Sequence, residues 1–108
     1  MQNNYTGSGN TGIGRSTGQR QTGDNNFFGG ALAGYGARPL AINLAVDTGS
    51  YNTALGVSAM YRLANGKYNT AVGYNALLSD SSGGYNTAVG VQASSEGDTA
   101  SYTTSVGY

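Results

Sequence analysis

The sequence predicts an all-β protein: a short parallel β-solenoid with coils of about 17 residues, expected to associate with other chains. Three observations predict it. The phrase Tyr-Asn-Thr-Ala-[Leu/Val]-Gly stands at 51–56, 68–73 and 85–90, and decays into "YTTSVG" at 102–107. Its tyrosines, Tyr51, Tyr68, Tyr85 and Tyr102, are each 17 residues apart. The chain is also built from small side chains, with 19 glycines and two phenylalanines in 108 residues. A chain of this size buries a modest share of its surface, so a monomer with so few bulky groups is expected to need partners.

Each coil is expected to hold one strand. The phrase alternates with period two: Tyr51, Thr53 and Leu55 on one face, Asn52, Ala54 and Gly56 on the other. Tyr, Thr and Val suit a pleated surface, and only the short "SAMYRLA" run at 58–64 follows helical spacing. Turn signals fall in the half that drifts between copies, at Asn65-Gly66, "SDSSGG" and "SSEGD". Arg62 there corresponds to Ser79 and then Glu96, so that edge is expected to be solvated. The half that does not drift carries the packing. Coils stacked ~4.8 Å apart put Asn52, Asn69 and Asn86 in a ladder whose amides bond from coil to coil. Leu55, Val72 and Val89 are expected to stack as the apolar core line, with Gly56, Gly73 and Gly90 letting backbones approach closely. A triple β-spiral, which also carries short glycine-marked repeats, is the rival fold.

Weaker echoes precede residue 49. "NTGIG" (10–14) keeps the spacing, "NNFFG" (25–29) keeps Asn and Gly, and "NLAVD" (43–47) puts Asp47 where the glycine belongs. The chain therefore divides into an irregular Gly-rich segment, 1–48, with degenerate coils, and regular coils over 49–108 starting near 51, 68, 85 and 102. "ARPLAINLAV" (37–46) is the most apolar stretch and reads as a strand entering the regular coils. Pro39 near its start suits a sheet edge.

Composition excludes whole classes of function. Cysteine, histidine and tryptophan are absent, which removes disulfides, thiolate metal sites and histidine chemistry. Five basic and five acidic residues are scattered, giving no electrostatic footprint for nucleic acid or anionic membrane. No apolar run reaches the length of a membrane span, and the first residues have neither the basic nor the apolar region of a signal peptide. "GSGNTG" (7–12) matches G-x-G-x-x-G, but nothing apolar precedes it and nothing helical follows, so no dinucleotide site is expected. Asp80 and Asp98, 18 residues apart, are an acid pair of the kind a glycosidase needs, yet both lie in drifting turns and read as solvated. Asn4-Tyr5-Thr6 is a formal glycosylation sequon without a leader before it. No catalytic, metal or cofactor residue is assigned, and no cofactor is expected. Tyr51, Tyr68, Tyr85 and Tyr102 are open to two roles, a surface row on which sugar rings stack or a row packed against a neighbouring subunit or the next coil.

The units "GSYNTALGVSAM", "GKYNTAVGYNALL" and "GGYNTAVGVQAS" resemble the N-T-A-[LV]-G-x-x-A-L repeats of bacteriophage tail fibres. They are similar also to the head repeats of trimeric autotransporter adhesins, in which each chain is a left-handed β-roll. The match is clear over 49–108. The resemblance implies a non-enzymatic homotrimeric virion protein, the tail-proximal part of a fibre. Its N-terminal segment would dock to the tail or baseplate, while distal regions meet a host glycan or protein. The alternatives are an adhesin head on the bacterial surface, or a fragment of a capsule-degrading tailspike. Absence of a leader and a membrane anchor turns the expectation toward the phage fibre.

Overall fold

The computed structural model describes residues 7–36, 47–79, 82–96 and 99–108. Six three-residue strands follow in order: β1 (Thr11–Ile13), β2 (Phe27–Gly29), β3 (Thr53–Leu55), β4 (Thr70–Val72), β5 (Thr87–Val89) and β6 (Thr104–Val106). All neighbours pair in parallel, and the order in the sheet equals the order in the chain. Three residues suffice for each strand because the next coil repeats the partner. The fold is a parallel β-solenoid rather than a triple β-spiral. "SAMYRLA" forms no helix; it runs through turns along the coil wall.

Register is uniform. Thr53 sits on Thr70 and Thr70 on Thr87, while Leu55, Val72 and Val89 lie in one row. The sheet also continues upstream across residue 48, since β2 pairs with β3 and β1 with β2. "NTGIG" is the first coil. The second differs from its sequence reading by one residue: Asn26, not Asn25, stands over Asn52's place, and Phe27 pairs with Thr53. Asn25 and Asn26 each have a glycine four residues on, so spacing alone does not choose between them. Of "NLAVD" only Asp47 lies among the described residues. Asp47 forms an isolated bridge with Gln21, closing the second coil. Residues 37–46, which carry the expected entering strand, lie outside the described residues, as do Asn4-Tyr5-Thr6, Asp80 and Asp98.

The core is narrow and lined by small groups. Ala54, Ala71 and Ala88 on the strands are buried in one core with Ala59, Ala76 and Ala93. The half of the coil that drifts is more than a solvated turn, since it supplies the larger aliphatic side chains Met60, Leu63 and Leu77. The second coil inverts the sizes: buried Phe28 takes the alanine position of Ala54, and Gly34 takes the position of Met60. A Cβ on Gly34 would collide with the Phe28 ring.

One expected feature is reversed. Leu55, Val72 and Val89 form a row but not the core line: Leu55 and Val89 are each 39% exposed. The strand alternates as expected, yet it is the Asn-Ala face that turns inward. The reason lies in polar satisfaction. The asparagine amide is the group that needs backbone partners in a dry interior, and only small side chains fit beside it.

Candidate functional site

Chemistry here is carried by rows of like residues along the stack. The first row is Asn10, Asn26, Asn52, Asn69 and Asn86. Each amide oxygen accepts from the backbone N–H of the next member: Asn26 on Asn10 at 2.8 Å, Asn52 on Asn26, Asn69 on Asn52 and Asn86 on Asn69 at 2.9 Å. Each amide NH2 donates to a carbonyl at the far end of its own coil. Asn26 reaches Gly49, Asn52 reaches Gly66 and Asn69 reaches Gly83, at 2.8–2.9 Å. The side chains thus bond to backbone and not to one another. One asparagine fastens its coil to the next and also closes its own loop. The row ends at Thr103, whose N–H and hydroxyl both donate to Asn86 Oδ1.

The second row is Gly56, Gly73 and Gly90, with φ of 135°, 133° and 130°, a region that side chains disfavour. A Cβ on Gly73 would stand 2.7 Å from the Gly90 carbonyl carbon and nearer still to its oxygen. Backbone N–H groups of this row complete the ladder, with Gly73 donating to Leu55 O and Gly90 to Val72 O. The following segment turns sharply: Ala59 N–H closes on Gly56 O at 3.3 Å, with Ser58 at φ 58°, as a type II turn requires. Ser58 and Met60, both at positive φ, are held by bonds to Ala31 O and Ala76 O in the two flanking coils.

The third row is Tyr51, Tyr68, Tyr85 and Tyr102. Successive ring centroids are 4.9, 5.0 and 4.9 Å apart and the planes lie within 13° of parallel. All four residues are left-handed, with φ of 59–60°. In the irregular coils the same place is held by Gly9 and Asn25, the types that tolerate this backbone. Tyrosine is therefore present for its ring. A left-handed non-glycine residue costs about 1–2 kcal/mol, and a stacked aromatic pair contributes about 0.5–1.5 kcal/mol beyond burial, so the stack offsets much of the strain. Both faces of Tyr68 and Tyr85 are covered by neighbouring rings, leaving edges to solvent; a sugar stacking on a ring face would find none there. A shorter stack, Tyr35 on Tyr61 at 5.1 Å, lies elsewhere on the coil.

The fourth row is the apolar one. Leu55, Val72, Val89 and Val106, with Ile13 at the other end, face outward from the strands. Just past the glycine turn stand Val57, Tyr74 and Val91, 47–52% exposed. Sequence reasoning did not single out that second line, although Val57, Tyr74 and Val91 do share one repeat position. Among the described residues no group of His, Cys, Asp or Glu could hold a metal ion, and no helix is long and apolar enough to cross a membrane. Comparison with family models, curated proteins and solved structures gives no match.

Proposed function

We propose that the chain is a structural, non-enzymatic segment of a homotrimeric fibre of the bacteriophage tail-fibre kind, which gives length and stiffness to an assembly that contacts a host surface. The observation that carries this reading is the outward apolar stripe, repeated at one azimuth on every rung from Leu55 to Val106. A parallel copy presents the same row at the same ~4.8 Å repeat, so sister chains match along the whole stripe without any change of fold. Contiguous exposed apolar surface of this kind marks an interface. The resemblance of the N-T-A-[LV]-G units to fibre repeats favours three copies. Docking to a tail or baseplate protein, and recognition of a host glycan or protein by other regions of the fibre, complete the proposal.

Sedimentation equilibrium of the purified chain tests it. The expected mass is three times 10.9 kDa. A folded monomer with the stripe bare to water would overturn the reading.

A further inference from the structure

We propose that the tyrosine ladder is an oxidative cross-linking site, at which a one-electron oxidant joins Tyr51 to Tyr68, Tyr68 to Tyr85, or Tyr85 to Tyr102 as dityrosine. The ring stacks carry the inference. The partners are stacked with centroids 4.9–5.0 Å apart and planes nearly parallel, and are 47–78% exposed, open to a small oxidant. The chain has no cysteine, so no disulfide can tie one coil to the next. The tyrosine row offers that tie by other chemistry, and it does so whether or not the chain belongs to a fibre.

Each phenol gives up one electron and its hydroxyl proton to become a tyrosyl radical. Two radicals then couple through their ortho carbons, forming one C–C bond. The hydrogen on each coupled carbon moves to its own phenoxyl oxygen, restoring two phenols. Two electrons and two protons leave in all. With hydrogen peroxide as terminal oxidant, acting through a haem peroxidase, they reduce one peroxide to two waters. Holding both rings one rung apart makes the coupling effectively unimolecular, which favours it over encounters between molecules. Rotation about χ1 and χ2 of the two side chains brings the ortho carbons together. Each bond closes a loop of 17 residues, so the product is a covalent staple across neighbouring coils. Tyr35 and Tyr61 form a second, shorter site by the same geometry.

The test treats the purified chain, dilute, with peroxidase and hydrogen peroxide, reads dityrosine fluorescence, and maps the linked peptides by mass spectrometry after proteolysis. The expected products are intrachain links between ladder neighbours and between Tyr35 and Tyr61, in a yield independent of protein concentration. Tyr68→Phe with Tyr85→Phe keeps the rings, and so the fold checked by circular dichroism, but leaves no adjacent phenols in the ladder; its ladder links should vanish while the Tyr35–Tyr61 link persists. Tyr74→Phe, outside the stacks, should leave the yield unchanged. Links mainly between chains, links mainly through Tyr74 or Tyr108, no dityrosine, or an unchanged yield in the double variant would each overturn the proposal.

Discussion

A single asparagine in this protein does the work of two turns of hydrogen bonding. Asn52 accepts from Asn69 N–H and donates to Gly66 O, and it is 1% exposed, so water cannot replace it. Asn52→Ala is expected to orphan both backbone groups, at about 1–3 kcal/mol each, read as a lowered urea midpoint. Asn52→Asp keeps the acceptor but loses the donor and adds a buried charge, so it should not rescue. Gly73→Ala meets a different obstacle, a backbone at φ 133° beneath the carbonyl of Gly90. It should destabilise by more than the about 1–2 kcal/mol of left-handed strain alone, because the neighbouring coil must also move. An unchanged midpoint for Gly73→Ala would mean that the coils are not in contact there. At Tyr68 the hydroxyl is dispensable and the ring is not. Tyr68→Phe should be close to neutral, whereas Tyr68→Ala keeps the strained backbone and loses two stacked contacts, so thermal melting should separate the variants clearly.

The coil is governed by size complementarity across its narrow interior. Phe28 against Gly34 in the second coil, and buried Ala54 with buried Met60 in the third, are two combinations of sizes at the same two repeat positions. Ala71→Phe alone is therefore expected to overpack the fourth coil, at about 1–3 kcal/mol or more, and Leu77→Gly alone to leave it underfilled. The two together should cost less than the sum of the singles, a coupling that a double-mutant cycle measures. Additivity would show that the two positions do not share the cavity. How much of this was legible follows from the same physics. The strand phrase could be read because every copy must satisfy an identical neighbour, so its residues cannot drift. Period two divided the phrase into two faces but did not say which is inside, and the heavier Leu55, Val72 and Val89 look like the obvious core. What decides is the asparagine amide, whose need for two backbone partners draws its face inward along with the alanines. Met60 and Leu77 escaped notice because their repeat position also accepts Gly34 and Ser94, and Leu63 because its own position holds Asp80 and Gly97 in the next two copies. The second coil was misplaced by one residue because Asn25 serves as a left-handed stand-in for tyrosine just before the true ladder residue, Asn26.

The whole molecule is a stack in which coils contact chiefly their neighbours, apart from Gln21 Nε2, which reaches past the second coil to Leu63 O at 3.1 Å, so stability is set largely by the number of matched interfaces. An apolar row on the strand face then becomes a property of the stack, and sister copies would bury it along its length. Val72→Lys with Val89→Lys places two charges on that row without touching the core. It should lower the sedimenting mass toward the monomer while the far-ultraviolet spectrum keeps its β character; an unchanged mass would place the interface on another face. Beneath this lies the claim that coils stand in register, one repeat per rung. Arg62, Ser79 and Glu96 hold equivalent places at the solvated edge, and the absence of native cysteine makes spin labelling clean there. With Arg62→Cys and Ser79→Cys both labelled, and the protein diluted with unlabelled chain, the resonance spectrum should be strongly exchange-broadened, since the labels sit one rung, ~4.8 Å, apart. Arg62→Cys with Glu96→Cys, two rungs apart, should broaden far less. A spectrum of the first pair equal to the sum of its single-label spectra would contradict the stacked arrangement.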